Sequence, residues 1–130
     1  MILRKYISLL GIGSAQIDLI LEKETYSAGE EVKGYFQIKG GTVVQKLKRI
    51  ECDLVMADIK EEKEETVETK TILTTKSIQS ETDEHIPFRF LLPDALEMSA
   101  GTLNYHFRTR LVFDKGVESK DLDVIRIVGK

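Results

Sequence analysis

Along most of the chain apolar and polar residues alternate with a period of two. Ala15, Ile17, Leu19 and Leu21 alternate with Gln16, Asp18, Ile20 and Glu22, as in a strand with one buried face. Val32, Gly34, Phe36 and Ile38 repeat the pattern against Lys33, Tyr35, Gln37 and Lys39. The polar stretch from Glu24 to Glu31 separates these strands, and Gly40-Gly41 predicts a turn free of side-chain strain. A longer strand starts at Leu47, with Ile50, Cys52, Leu54 and Met56 on one parity, so Cys52 is expected to face inward. The charged run from Lys60 to Glu65 predicts a solvated hairpin tip. Thr66 to Ile78 is rich in threonine, whose branched side chain suits a pleated surface, and reads as strand.

Ser80 to Glu84 makes a polar turn before Ile86, Phe88, Phe90 and Leu92, and Pro93 removes a ladder donor and ends that strand. Tyr105, Phe107, Thr109, Leu111 and Phe113 form the next inward set, against His106, Arg108, Arg110 and Val112. Asp114-Lys115-Gly116 turns the chain. Asp121, Asp123, Ile125 and Ile127 then alternate with Leu122, Val124, Arg126 and Val128, which predicts a last strand buried on both faces or at least at its middle. Seven or so short strands without helical spacers favour an all-β, two-sheet antiparallel sandwich of immunoglobulin-like type. Its interior should gather Phe36, Leu54, Phe88 and Phe107.

The N-terminus breaks the period. Ile2, Leu3, Tyr6, Ile7, Leu9 and Leu10 recur at helical spacing around Arg4, Lys5 and Ser8, and Gly11 and Gly13 end the run. The chain therefore divides into a short amphipathic helix with a glycine-rich entry (1–14) and a sandwich domain (15–130). The plainer role of the helix is to cover an open end of the sandwich. The alternative is a docking helix, with Ile2, Leu3, Arg4, Lys5 and Tyr6 resting weakly on a membrane surface or on a partner.

Composition narrows the function classes. A chain of 130 residues with 42% hydrophobic and 32% charged residues fits one soluble domain able to bury its own core. The net charge of −3, with both signs interspersed, lacks the basic excess that neutralises phosphates, which argues against nucleic acid as a partner. Cys52 is the only cysteine. No intrachain disulfide or thiolate metal cluster can form, and a reducing, cytoplasmic setting is expected. The apolar run from Tyr6 to Ile12 is interrupted by Ser8 and Gly11, too weak for a secretory signal, and no stretch approaches the roughly 18 apolar residues of a spanning helix.

Candidate chemistry is sparse. A nucleophile needs a partner base and a strained turn to present it, and no such turn is evident. His85 and His106 lack a dense set of ligands nearby and read as structural, as does Cys52. Gly11-Ile12-Gly13 begins like a phosphate-binding loop, but the third glycine is missing and a strand follows where a helix should. No catalytic, cofactor-binding or metal site is expected. One local pattern stands out: His106, Arg108 and Arg110 line one strand face, with Asp114, Asp121 and Asp123 as partners across a turn. These six form a candidate polar cluster, either a set of surface ion pairs or a layer that fixes how the sandwich presents its concave face.

Several segments together resemble arrestin-like domains: Tyr26-Ser-Ala-Gly29-Glu30-Glu-Val32-Lys-Gly34-Tyr-Phe36, then Ile86-Pro-Phe88-Arg-Phe90-Leu-Leu92-Pro93, Ser99-Ala-Gly101 and the strand from Tyr105 to Phe113. Within that clan the chain is similar to the bacterial SpoOM sporulation-control family, through Gly11-Ile-Gly-Ser-Ala15, Lys39-Gly40-Gly41, Asp114 and Asp121-Leu-Asp123-Val-Ile125. Arrestin-like segments commonly carry proline where Ala28 stands and within Ala95-Leu-Glu-Met98, and this chain does not. The resemblance implies a cytoplasmic regulatory or scaffolding protein without catalytic residues, usually with a further domain after this one. Such a module would bind protein partners at its sheet edges or concave face, and a free edge could pair two copies into a homodimer.

Overall fold

A computed structural model describes residues 14–114 and 118–129, the side chain of Glu118 excepted. Alternation becomes nine strands among them: β1 (Gln16–Leu21), β2 (Thr25–Ser27), β3 (Glu31–Lys39), β4 (Gln45–Asp58), β5 (Lys63–Leu73), β6 (Ser77–Ile78), β7 (Asp83–Leu91), β8 (Leu103–Phe113) and β9 (Glu118–Val128). One sheet runs β1-β3-β7; the other runs β2-β9-β8-β4-β5, with β6 also paired to β4. The described residues thus form an all-β sandwich. The helix expected in residues 1–14, including Ile2, Leu3, Arg4, Lys5 and Tyr6, lies outside the described residues except for its last position.

The interior is dry and aromatic at its centre. Phe36 and Phe88 meet edge to face at 5.1 Å, and Phe107 meets Phe88 at 5.6 Å and Phe90 at 5.2 Å. Leu54 is fully buried in the same cluster. Edge-to-face contact sets the positive rim of one ring on the negative face of another, which adds to the gain from burial.

Five expectations need correction, each for a local reason. The sheet is not wholly antiparallel: β2 lies parallel to β9, with Tyr26 opposite Ile127. Tyr26 is buried, and its hydroxyl donates to the Lys23 carbonyl at 2.8 Å, so one aromatic anchors a stretch that reads as polar loop. The charged run is only half tip: β5 already starts at Lys63, the turn spans 59–62, and Glu62 takes the left-handed conformation at φ 52°. Thr66 to Ile78 is not one strand either, since β5 ends at Leu73 and the two-residue β6 pairs with the start of β4.

Gly40-Gly41 does not close a hairpin, because β3 and β4 belong to different sheets. Gly40 instead abuts the backbone after β6. Its N–H donates to the Thr82 carbonyl at 2.7 Å, and a Cβ there would stand 2.1 Å from the Gln79 carbonyl oxygen. Finally, β9 is buried on one face only. Leu122 and Val124 are 54% and 65% exposed, because they lie on the outer side of the larger sheet.

The two long seams between the sheets are closed differently. On one side β1 runs beside β9 and offers its outward N–H groups to side chains. Ala15 N donates to Gln45 Oε1 (2.6 Å), Ile17 N to Ser119 Oγ (3.2 Å) and Leu19 N to Asp121 Oδ2 (2.8 Å). Ser119 and Asp121 are buried, and these bonds meet the requirement that buried polar groups be paired. On the other side β7 and β5 share no ladder, and the Lys70 ammonium reaches across to the Arg89 carbonyl and lies 5.9 Å from the Phe88 ring.

Candidate functional site

The residues expected to form one polar cluster separate according to strand parity. His106, Arg108 and Arg110 face outward from β8. Asp121 and Asp123 sit opposite Thr109 and Phe107 in the β8–β9 register, on the opposite face of the sheet. Asp114 follows the end of β8, where its N–H donates to the Lys46 carbonyl at 3.1 Å.

The cationic stripe finds its carboxylates on β4 and β5 instead. Arg110 Nη2 pairs with Glu51, which also holds Arg49 Nε at 2.5 Å. Arg108 reaches Asp53 at 3.5 Å and Glu64 at 3.4 Å, and Thr69 donates to Asp53 at 2.7 Å. The register accounts for this directly, since Glu51 lies opposite Arg110 and Asp53 opposite Arg108, and cross-strand neighbours on one face are the pairs that interact. The hydrogen bond from Arg49, opposed by burial and reinforced by Arg110, holds the Glu51 carboxyl below the usual carboxylate range. Proximity in sequence pointed to the loop and to β9, whereas the partners come from two strands more than forty residues upstream.

At the end of this stripe His106 lies between Val55 of β4 and Val124 of β9. It is buried, and among the described residues its Nε2 has no hydrogen-bond partner. Burial lowers its pKa below 6.5, with Glu64 opposing and Arg108 adding to the shift. His85 is exposed, stacks on Tyr35 at 4.5 Å and reaches Asp83 at 3.4 Å. Cys52 is 1% exposed, accepts a hydrogen bond from Thr109 at 3.5 Å, and has its thiol pushed up to about 12 by desolvation. A thiol so rarely ionised is a poor nucleophile.

Asp121 and Asp123 meet Asp18 of β1 at the closed seam, with carboxylate oxygens from the three residues within 4.8 Å of one another. A hard cation such as calcium or magnesium takes oxygen ligands of this kind. Asp121 already accepts the Leu19 N–H, so this set also has an architectural role. Sequence spacing brought Asp121 and Asp123 together but gave no sign of Asp18, which reaches them only because β1 runs beside β9.

A different surface forms at one end of the sandwich, and no single sequence pattern pointed to it. A groove of about 470 Å³ lies between the tip of the β4–β5 hairpin and residues 97–103, with Met56 and Leu103 among its lining. Ile59 on the hairpin and Met98 opposite are 67% and 58% exposed. Its two sides are tied together where Ile59 N donates to the Thr102 carbonyl at 3.1 Å and Thr102 Oγ1 to Asp58 Oδ1 at 2.9 Å.

Comparison with known proteins agrees with this architecture. The family described as SpoOM protein matches residues 3–130. The sporulation-control protein spo0M of Bacillus subtilis is 31% identical over 128 residues, covering 94% of this chain and 50% of that protein. The crystal structure of the B. subtilis protein superposes with a TM-score of 0.82 at 30% identity, over 92% of this chain and 51% of that one. The chain thus spans about half the length of the relatives it matches. A Niemann-Pick type C2 protein from the Japanese carpenter ant shares the fold at a TM-score of 0.60 and 10% identity, over 88% of this chain and 93% of that one. A superoxide reductase (neelaredoxin) from Ignicoccus hospitalis does so at 0.53 and 7%, over 93% and 86%. At such identities the likeness extends to the fold alone.

Proposed function

This chain belongs to the SpoOM family, and on that premise we propose that it is a non-catalytic, cytoplasmic regulatory adaptor of the arrestin-like type that binds protein partners through its sheet edges and outer face. The observation that carries the reading is how its polar chemistry is used. Ser119 and Asp121 cap the β1 edge, Thr109 and Cys52 bond each other inside the core, and the arginines of β8 are paired along the larger sheet. These groups hold the sandwich together. The outer face meanwhile presents Leu122 and Val124, next to Arg108 and His106 in the ladder. Exposed apolar side chains beside polar and charged groups are a common composition for a surface that takes a partner. Among the described residues no helix is long and apolar enough to cross a membrane.

The test is affinity capture of the tagged chain from cross-linked bacterial cells, beside a variant carrying Leu122→Asp and Val124→Asp. The proposal expects a reproducible set of proteins with the native chain that is depleted with the variant. Capture no different from that of an unrelated tagged β-sandwich would count against an adaptor.

A further inference from the structure

We propose that the groove between the β4–β5 hairpin tip and residues 97–103 docks a basic, apolar-faced segment of a partner protein. The inference rests on the adaptor reading and gives it a location and a ligand chemistry. Two independent features of the groove point the same way, one apolar and one electrostatic.

The apolar feature is an exposed methionine on a rigid mount. On one side of Met98 the Tyr105 hydroxyl donates to the Glu97 carbonyl at 2.8 Å. On the other, Ser99 N donates to the Ile127 carbonyl at 2.8 Å while Ile127 N donates to Ser99 Oγ at 2.9 Å. The backbone is therefore held on both flanks while the side chain between them is 58% exposed. Methionine is flexible and polarisable and suits surfaces that accept varied apolar partners. Met56 and Leu103 extend the apolar lining inward. Because the walls are already tied together, little ordering entropy is lost when a segment binds.

The electrostatic feature is the rim. The groove is lined by Asp58, Glu61, Glu64, Glu65 and Glu97 against one cation, Lys63. Lys63 lies 3.5 Å from Glu61, and Glu64 reaches Arg108 at 3.4 Å. Glu65 and Glu97 have no cation within ion-pair distance among the described residues. An apolar floor under a carboxylate rim complements a segment with apolar anchors and lysine or arginine at its margins, and disfavours an acidic one.

The test uses the full chain and a synthetic 15-residue peptide of leucine and lysine in amphipathic helical order, with a leucine-glutamate peptide of the same pattern as control. The chain has three methionines, two of which line the groove, so methyl-¹³C-methionine spectra place the binding site directly. Expected are saturable one-to-one binding of the lysine peptide, shifts of the Met56 and Met98 methyl signals, and loss of affinity by about tenfold or more in Met98→Asp and in Glu65→Lys combined with Glu97→Lys. Thermal melts confirm that these surface variants fold. Binding that leaves both signals unmoved, binding unaffected by the variants, or equal binding of the glutamate peptide would each overturn the proposal. If partners captured from cells are unaffected by Met98→Asp but lost with Leu122→Asp and Val124→Asp, the adaptor reading stands and the groove assignment falls.

Discussion

The two seams of the sandwich solve one problem with different means. A three-stranded sheet facing a larger one leaves edges whose backbone groups invite foreign strands. At the β1–β9 seam the N–H of Ala15 just before β1 and the outward N–H groups of Ile17 and Leu19 within it are each taken by a side chain, from Gln45, Ser119 and Asp121. At the β5–β7 seam Lys70 meets the Arg89 carbonyl, Lys76 just past β5 pairs with Glu84 at 3.2 Å, and Pro87 removes a donor from the β7 edge. The first seam is built into the buried structure. The second is guarded by an inward-pointing charge, one of the devices that deter edge pairing without adding much stability. A sandwich can therefore be locked along one side and merely policed along the other.

The largest expected effect is on the locked side. Asp121→Ala leaves the Leu19 N–H buried without its acceptor, a loss of about 2–3 kcal/mol for a hydrogen bond to a charged group, read as a shift of the urea midpoint at unchanged slope. Asp121→Asn separates the causes, because it keeps an acceptor and removes the charge beside Asp18 and Asp123. A small loss in Asn with a large loss in Ala identifies the hydrogen bond; equal losses would assign the effect to charge. Ser119→Ala, which removes a neutral acceptor, should cost about 1 kcal/mol.

A smaller effect is set by pH on the β8–β9 side. The folded-state pKa of His106 lies below 6.5 because of burial, so the unfolded chain binds this proton first as pH falls. The stability tied to neutral His106 is complete above about pH 7 and declines from about 6.5 downward, through the folded-state value. The facing groups are Val55 of β4, Val124 of β9, Glu64 of β5 and Arg108 of β8 itself. His106→Gln should flatten denaturation midpoints between pH 7 and 5.5. An unchanged pH slope would show that His106 is not the titrating group.

Much of the sandwich is written in parity. The inward sets at Ile17, Phe36, Leu54, Phe88 and Phe107 are consecutive even or odd positions, and each is buried, because burying one face of a strand demands that alternation. What failed were features that depend on distant strands. Tyr26 makes a three-residue parallel strand inside a polar stretch because β9 lies beside it, and no local pattern encodes that neighbour. Arg108 and Arg110 were legible as a stripe, yet their partners follow from the β4–β8 register. The end groove was illegible for the same reason. It joins Met56 and Asp58 to Glu97 and Met98, residues separated by three further strands and linked through tertiary hydrogen bonds.

The smallest global effect, and the sharpest check on the contrast, belongs to Lys70. The residue is half-buried, and Lys70→Ala removes one contact to a carbonyl and a partly exposed cation–ring approach, worth less than about 1 kcal/mol in global stability. Its local consequence should be larger. Cys52 sits opposite Lys70 in the β4–β5 register and on the same inward face, so its buried thiol reports on this seam. In the native chain a thiol-specific reagent should react with Cys52 only through rare opening, since the group is 1% exposed and its pKa is about 12. Lys70→Ala should raise the labelling rate several-fold while the urea midpoint barely moves, because the policed seam opens locally. Asp121→Ala should raise labelling only in proportion to its loss of global stability, because a seam that belongs to the core has no separate way to open. Labelling that tracks global stability equally in both variants would erase the distinction and make the two seams one cooperative unit.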